Sequence, residues 1–466
     1  MEDNGIFLQQ VTRIIKFIKK LLRKSSDSYE KRQQQELAID SKYIIPRKFH
    51  NLSKTDINAN ALKVLNKLNS SGFKAYLVGG SVRDLLLGKV PKDFDIATNA
   101  TPNEIRGLFR NARIIGRRFK LAHIIFYREI VEVATFRAGH AEHTADHHQT
   151  NEKGMIIRDN VYGDLDEDAL RRDFTANSLY YDINSSAIID FTGGFQDLRN
   201  HILRTIGDPI IRYQEDPVRM LRAIRFGAKL DFALDPQTAA ALSKINFSLK
   251  HVSGARLFDE ITKLYKCGEA EKAHLLLIKY NIFPYLFAQT AAQLENSQQQ
   301  KLITSALKST DRRIREGKPV NPAFLFAIFL WFPLQMRMQL LQQQQKMIPI
   351  EALEKAMTAV IIEQNSVITV PRRFSQVMRE MWLLQYRFPR RLGQRAIHLL
   401  QHPRFRAAYD LLYLRSLAGD EDATLTQWWT DFQEVSEEER RTMITALMPT
   451  RKAEAKKKAA VKKTHG

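Results

Sequence analysis

Residues 77–98 read LVGGSVRDLLLGKVPKDFDIAT, and this stretch decides the fold of the first half of the chain. The apolar run ending at Val78 predicts a short strand, because its residues are β-prone and it breaks at a glycine pair. A helix is expected next, capped by Ser81 and closed by a glycine in the left-handed conformation. These elements together predict a seat for phosphate groups, where Gly80 exposes bare backbone and Arg83 pairs with phosphate oxygens.

The end of the same stretch carries two carboxylates, Asp93 and Asp95, on a strand predicted over residues 93–97. Side chains alternate between the faces of a strand, so both carboxylates are expected to point the same way. Two like charges this close are costly without a cation, and oxygen ligands beside phosphates suit Mg²⁺. The stretch therefore predicts metal-assisted phosphoryl transfer. Glu132, on a later strand predicted over 130–137, is a candidate third metal ligand or a structural charge.

The composition describes a basic globular chain of 466 residues. Lys and Arg outnumber Asp and Glu by 72 to 51, and the net charge of +21 favours nucleic acid or an anionic membrane surface as the partner. The single cysteine, Cys267, excludes an intrachain disulfide and fits a reducing cytoplasm. Basic residues interrupt the apolar pattern over residues 6–22, which argues against an integral membrane span but leaves a peripheral amphipathic helix open.

The order of the predicted elements divides the chain into a mixed head and a helical body. A basic amphipathic extension and linker over residues 1–49 precede an α+β head over 50–205. Beyond the head the strand signals vanish, and helices are expected to form a neck over 206–265 and a body over 266–450. Residues 451–466 carry seven Lys or Arg and one Glu, which predicts a disordered basic tail.

A second motif, RRDFTANS at residues 171–178, carries charged groups suited to a nucleotide. Arg172 can fork onto phosphate oxygens. Asp173 can accept hydrogen bonds from ribose hydroxyls, or it can act as an acid of the catalytic centre. A surface ion pair is the alternative interpretation of this motif.

A third motif, EDPVR at residues 215–219, opens a predicted helix on which arginines recur every three residues. Arg219, Arg222 and Arg225 therefore share one side of that helix. The alternative to nucleotide binding is a solvated basic stripe on a helix that begins with proline.

Two further clusters are less specific. Arginines interleave with aromatic residues over 371–416, which favours either single-stranded RNA binding or ordinary packing of helices. Four histidines lie in the polar stretch GHAEHTADHHQT at 139–150, with no carboxylate or thiolate at a fixed helical spacing. A mobile loop is therefore favoured there over a transition-metal site.

The motifs GGSVRDLLLG, DFD, RRDFTAN and EDPVR, in this order, resemble those of the class II nucleotidyltransferases of the DNA polymerase beta superfamily, which include CCA-adding enzymes and bacterial poly(A) polymerases. The resemblance implies a mixed sheet with helices, then an all-helical neck and body. It also implies Mg²⁺ on Asp93 and Asp95, with Asp173 as a further catalytic residue, and it leaves Glu132 open as a third ligand or a structural charge. The nucleotide-binding residues it implies are Gly80, Arg83, Arg172, Asp216, Arg219 and Arg222.

Within the third motif, the resemblance implies that Asp216 accepts from the adenine amino group and Arg219 donates to a ring nitrogen. Residues 114–124, IIGRRFKLAHI, resemble a signature of bacterial poly(A) polymerases that CCA-adding enzymes lack. The basic tail points the same way.

The implied activity is template-independent polynucleotide adenylyl transfer from ATP to RNA 3′ ends, with release of pyrophosphate. A CCA-adding nucleotidyltransferase acting on tRNA is the alternative, and an RNA-binding protein without catalysis is a third reading that would not need both metal aspartates. RNA 3′ ends and ATP are the expected partners, with RNA-decay proteins left open. A cytoplasmic monomer is expected.

Overall fold

The structure, a computed structural model, describes residues 39–116, 120–138, 148–150, 156–159 and 162–447. Several predicted features lie outside these residues. They are the amphipathic extension up to residue 38, the arginines of the 114–124 stretch, the basic tail, and the histidines at 140, 143 and 147.

The head is built around a mixed sheet, as the sequence predicts. Its strands are β1 (Ile44–Ile45), β2 (Ala75–Val78), β3 (Asp95–Thr98), β4 (Ala112–Ile115), β5 (Leu121–Phe126), β6 (Glu129–Thr135), β7 (His148–Thr150), β8 (Ile156–Asp159), β9 (Leu179–Asp182), β10 (Ala187–Asp190) and β11 (Ile202–Leu203). Eight of them form one sheet in the order β1-β10-β9-β2-β3-β6-β5-β4. β7 pairs with β8, so His148 lies in a strand and the loop predicted there is wrong at this residue.

The register of the central strands brings the predicted carboxylates together. β2 and β3 are antiparallel with Val78 opposite Asp95, and β3 and β6 are parallel with Asp95 opposite Glu132. The predicted strand begins at Asp95 rather than at Asp93. Two residues beyond the Val78–Asp95 pair, β2 has already given way to the helix that begins at Gly80, so Asp93 has no partner on β2.

Short helices cover the head sheet. They are α1 (Ala59–Ser70), α2 (Gly80–Leu86), α3 (Pro102–Leu108), α4 (Leu165–Leu170) and α5 (Gly194–Arg199). α2 follows β2 directly, but the predicted serine cap is wrong, because Gly79 is the N-cap and the Ser81 hydroxyl donates to the Val78 carbonyl oxygen at 3.0 Å. The predicted glycine stop is confirmed, since Gly88 has a φ of 69°.

The remainder of the described chain is helical, as predicted, apart from β12 (Ala233–Leu234), which pairs with β11. Its helices are α6 (Pro209–Glu215), α7 (Val218–Leu230), α8 (Pro236–Ile245), α9 (Gly254–Tyr265), α10 (Ala270–Lys279), α11 (Phe283–Leu286), α12 (Ala288–Ala291), α13 (Ser297–Arg315), α14 (Pro322–Phe329), α15 (Trp331–Gln345), α16 (Pro349–Asn365), α17 (Arg372–Arg387), α18 (Gln394–Leu400), α19 (Phe405–Ala418), α20 (Ala423–Glu434) and α21 (Glu437–Ala446).

One hydrophobic core runs from Leu52 in the head to Ile444 in α21. Because head and body share this core, the helices that follow the head are packed onto it rather than tethered to it. Within the described residues no single helix has the length and apolar composition to cross a membrane. The bent pair of α14 and α15, at 49°, meets both criteria only when the two helices are taken together.

Candidate active site

The glycine turn between β2 and α2 lies between two guanidinium groups. Gly79 has a φ of 75°, which favours glycine over any residue with a side chain. A Cβ at Gly79 would lie 3.4 Å from Nη1 of Arg172, and one at Gly80 would lie 3.6 Å from Nη2 of Arg83. Sequence reasoning placed these four residues together, and the structure brings them together.

Hydrogen bonds hold Arg83 in place at this turn. Its Nε and Nη2 donate to Oδ1 of Asp84 at 2.8 and 2.6 Å, and its Nη1 donates to Oδ1 of Asn177 at 2.5 Å. The residue is only 3% exposed. A guanidinium carries five N–H groups, so two remain for a further acceptor.

Three carboxylates meet at the edge formed by β3 and β6. Burial, followed by the charges of Glu132 and Asp93, raises the pKa of Asp95 to about 6 against the opposing charge of Arg172. Glu132 also lies 3.2 Å from Nε2 of His123 on the neighbouring strand. Within the described chain no three or more His, Cys, Asp or Glu side chains already form a group that could hold a metal ion.

Asp173 is directed into the protein by four hydrogen bonds. Its Oδ1 accepts from the backbone N–H of Phe174 at 2.9 Å and from Asn177 at 3.1 Å, and its Oδ2 accepts twice from Arg222, at 2.8 and 2.6 Å. Burial alone would raise the pKa of Asp173, but the charge of Arg222 and these hydrogen bonds outweigh it and lower that pKa to about 2. The contacts favour positioning of Arg222 and Asn177, and the role of Asp173 as a catalytic acid stays a prediction.

The two residues expected to read the base are joined through the backbone, where the N–H of Arg219 donates to the carbonyl oxygen of Asp216 at 3.0 Å, but the hydrogen bonds below join their side chains to other residues. Asp216 accepts a hydrogen bond from Nη2 of Arg256 on α9 at 2.6 Å. Nη1 of Arg219 donates to the carbonyl oxygen of Arg212 and to Oε2 of Glu215, both at 2.8 Å. Sequence reasoning missed Arg256 because forty residues separate it from Asp216, and only the folding of α9 against α7 joins them.

Arginines also crowd the space between the second and third motifs. Arg172 pairs with Asp168 at 2.9 Å and donates to the Tyr180 hydroxyl oxygen at 2.9 Å. Burial, followed by the charges of Arg137, Arg212 and Arg219, lowers the pKa of Arg171 to about 10. Like charges this close are costly, so the cluster is suited to a polyanionic ligand. Sequence reasoning missed Arg137 and Arg212, which stand outside the quoted motifs.

In the predicted RNA surface over residues 371–416, large aromatic side chains lie in the hydrophobic core rather than on the surface. Trp382 and Phe388 are fully buried, and Phe405 is 4% exposed, so these rings belong to the core and cannot stack on bases. Arg390 lies over the half-buried ring of Tyr386, at 4.3 Å from its centroid. Ordinary packing of helices, the alternative to RNA binding, is therefore confirmed for Trp382, Phe388 and Phe405.

Comparisons with known proteins agree with this geometry. Residues 75–204 match the family model of the poly A polymerase head domain, residues 231–294 that of the probable RNA and SrmB-binding site of polymerase A, and residues 345–463 that of the polymerase A arginine-rich C-terminus. The chain is 45% identical to poly(A) polymerase I of Salmonella typhimurium over 443 residues, and this alignment covers 94% of each of the two proteins.

Relatives of the other branch are more distant. The CCA-adding enzyme of Bacillus pumilus is 38% identical over 238 residues, which is 51% of this chain and 57% of that protein. The crystal structure of the Bacillus stearothermophilus CCA-adding enzyme in complex with CTP superposes with a TM-score of 0.54 at 25% identity, over 83% of this chain and 82% of that one.

The head sheet and the matching head-domain model define the chain as a nucleotidyltransferase. Within that class, the chain belongs to the bacterial poly(A) polymerase I family. It is a polynucleotide adenylyltransferase that interacts with ATP and RNA, and the CCA-adding alternative is not favoured because the sequence match to the Bacillus pumilus CCA-adding enzyme is weaker and covers only about half of the chain.

Proposed function

We propose that the chain adds AMP from ATP to the 3′ hydroxyl of RNA, with Mg²⁺ bound by Asp93, Asp95 and Glu132. The observation that carries this proposal is the strand register, which sets Asp95 opposite Glu132 on β6 and opposite Val78, the residue before the glycine turn. Burial, then Glu132 and Asp93, raise the pKa of Asp95 to about 6. Ionised carboxylates repel one another at this site, which lies beside a glycine turn and two guanidinium groups. Such a set of oxygen ligands fits a hard divalent cation. Bound there, Mg²⁺ would stabilise charge on the phosphoryl oxygens and on the leaving pyrophosphate.

The residues around the glycine turn are proposed to hold the triphosphate. The backbone at Gly80 is open to phosphate oxygens, Arg83 retains two N–H donors, and Nη1 of Arg172 lies beside the turn. The crowded guanidinium groups around Arg171 make the same region electropositive. The attacking 3′ oxygen forms a bond to the α-phosphorus while the bond to the bridging oxygen breaks, so pyrophosphate leaves with that oxygen.

Selection of adenine is assigned to the third motif and its supports. Asp216 would accept from the adenine amino group and Arg219 would donate to a ring nitrogen. Arg256 fixes the carboxylate of Asp216, while Glu215 and Arg212 fix the guanidinium of Arg219. Because hydrogen bonds hold the side chains of both Asp216 and Arg219, the proposed base pocket should not rearrange to fit the smaller cytosine ring.

A primer-extension assay tests the proposal directly. The purified chain is incubated with a short RNA, Mg²⁺ and each of the four nucleoside triphosphates in turn, and the product length and base identity are scored. Long ladders with ATP alone are expected. A discrete CCA product on tRNA that lacks its 3′ end would instead assign the chain to the CCA-adding branch.

A further inference from the structure

Helix α7 continues beyond the residues assigned to the nucleotide. Asp216, Arg219 and Arg222 are at its beginning and first turns, and the next basic residues on it are Arg225 and Lys229. Neither has a role in the nucleotide site proposed above. Both nevertheless lie close to groups that do, so the second half of α7 lies beside the proposed nucleotide site.

Three guanidinium groups surround one aromatic ring on α7. The guanidinium carbons of Arg83, Arg222 and Arg225 lie 5.3, 5.3 and 4.5 Å from the centroid of Phe226. Arg83 pairs with Asp84, and Arg222 pairs with Asp173. Within the described residues Arg225 donates no hydrogen bond and forms no salt bridge, and its Nε is buried without a partner.

The carboxylate facing Arg225 does not neutralise it by direct contact. Glu260 on α9 acts on Arg225 through its charge, but its Oε1 accepts from Nζ of Lys263 at 2.9 Å. Its Oε2 is buried without a hydrogen-bond partner, like Nε of Arg225. A guanidinium that is mostly withdrawn from water and lacks a paired anion is unfavourable, so an anionic ligand would stabilise it.

Lys229 belongs to the same electrostatic neighbourhood. Burial lowers the pKa of its ammonium, Asp84 opposes this effect, and the charges of Arg83 and Arg225 add to it. Positive charge therefore exceeds negative charge along this part of α7.

We propose that Arg225 and Lys229 bind a backbone phosphate of the RNA strand that is being extended. The triphosphate is assigned to the glycine turn. The other polyanionic substrate of the proposed reaction is the RNA, which must reach the same site. The residues that match the RNA-binding family model begin at 231, directly after α7 ends. This assignment rests on the proposed function, because it takes the RNA 3′ end as the second substrate.

Binding measurements on the full chain test the assignment separately from catalysis. Arg225→Gln and Lys229→Gln are compared with Lys301→Gln, an exposed lysine on α13 outside the residues that match the family models, by fluorescence anisotropy with a labelled single-stranded RNA across a salt series. Arg225→Gln is expected to weaken RNA binding by at least about tenfold and to lower the salt slope by about 0.7. Lys229→Gln should act in the same direction, Lys301→Gln should leave the dissociation constant within about twofold, and the KM for ATP should not change in any of the three.

A variant of Glu260 separates RNA binding from a structural role. If Arg225 binds phosphate, Glu260→Gln removes a competing negative charge and should leave RNA binding unchanged or tighter. If Arg225 and Glu260 are instead a structural pair, both substitutions lower the melting temperature and leave the RNA dissociation constant unaltered, which overturns the proposal. A rise in the KM for ATP with unaltered RNA binding would also overturn it, by assigning Arg225 to the triphosphate. Failure of the proposed function would appear differently, as wild-type protein that binds RNA but adds no AMP.

Discussion

Asp95 is the residue on which the proposed chemistry depends most. Its carboxylate lies next to Glu132 across a parallel strand pair and is affected by Asp93, so burial and repulsion raise its pKa to about 6. Repulsion between these three carboxylates is unfavourable without a metal ion, and it would favour the binding of a cation. Activity, pH dependence and metal dependence should therefore change together when this residue is altered.

Asp95→Asn should reduce AMP addition by at least ~10³-fold, or about 4 kcal/mol in the barrier, because one of the proposed metal ligands is lost. RNA binding should be nearly unaffected, since the body helices are untouched. Primer extension and anisotropy measure the two quantities. Activity within tenfold of wild type at the same Mg²⁺ concentration would contradict the assignment of Asp95, and Asp93→Ala provides the parallel test.

The pH dependence follows from the direction of the Asp95 shift. A raised pKa means that the folded state holds this proton more tightly than the unfolded state, so the contribution to stability is present below about pH 4 and is lost as the pH rises through about 6. Without metal at pH 7.5, Asp95→Asn should therefore be more stable than wild type by about 1 to 3 kcal/mol.

Thermal unfolding at pH 5 and pH 7.5, with and without Mg²⁺, checks that prediction. Added Mg²⁺ should raise the melting temperature of wild type and not that of Asp95→Asn, because only the first retains the carboxylate set. Equal stabilisation of both proteins by Mg²⁺ would place the metal elsewhere. Because protons compete with Mg²⁺ for the Asp95 carboxylate, a higher Mg²⁺ concentration should be needed for activity as the pH falls below about 6.

At the scale of elements, the contact between α7 and α9 fixes Asp216, one of the two residues proposed to read the base. Arg256 on α9 holds Asp216 just before α7, and Arg222 on α7 holds Asp173 in the head. The proposed base recognition and the junction of head and neck therefore share helix α7. A change in either contact should affect specificity or stability more than overall fold.

Arg256→Gln should narrow the preference for ATP over CTP, because Asp216 is then free to turn and the pocket can adapt to the smaller base. The expected loss is about 1 to 3 kcal/mol of discrimination. The ratio of kcat/KM for the two nucleotides measures it, and Arg256→Lys should restore part of the preference. A change in the KM for RNA alone, with the nucleotide ratio intact, would argue against this role.

Asp173→Asn should destabilise the protein by about 2 to 4 kcal/mol, because the substitution leaves the Arg222 guanidinium without its charged partner at the head–neck junction. The pKa of Asp173, about 2, lies below its unfolded value, so its contribution to stability is lost as the pH falls below about 4. Urea unfolding at pH 7 and pH 3 measures the loss. An unaltered free energy of unfolding at pH 7 would show that the pair contributes nothing.

At the scale of the whole molecule, the charge of +21 acts on RNA regardless of sequence. Residues 451–466 contribute +6 of this charge, seven basic residues less one acidic residue, which leaves +15 on the remaining chain. Electrostatic attraction should therefore be spread over the protein, with the tail as one contributor.

RNA affinity should fall steeply with salt, by roughly 0.7 counterions per phosphate contact on a single strand. Removal of residues 451–466 should lower the slope of log affinity against log salt without abolishing binding. Anisotropy titrations from low to moderate salt check this. An unchanged slope after truncation would show that the tail makes no phosphate contacts.

The sequence by itself determined the local features of this protein. The glycine turn, the helix that follows it and the aspartate strand all depend on residues close along the chain, and the structure contains each of them. The order of mixed head and helical body was equally readable, because periodicity changes from strand to helix along the chain. The start of β3 was misplaced because pairing with β2 ends where α2 begins, and the cap of α2 was misplaced because the Ser81 hydroxyl donates to the Val78 carbonyl oxygen instead.

Only the tertiary structure decided which charges meet. Asp216 meets Arg256 because α7 packs against α9, and Asp173 meets Arg222 because α7 packs against the head; no spacing in the sequence encodes either pair. Packing of the body helices placed Trp382 in the core rather than on an RNA surface, with its indole N–H donating to the carbonyl oxygen of Ala327. A side chain's charge and shape are fixed by its residue type, but its partners are fixed by the three-dimensional contacts of elements distant in the chain.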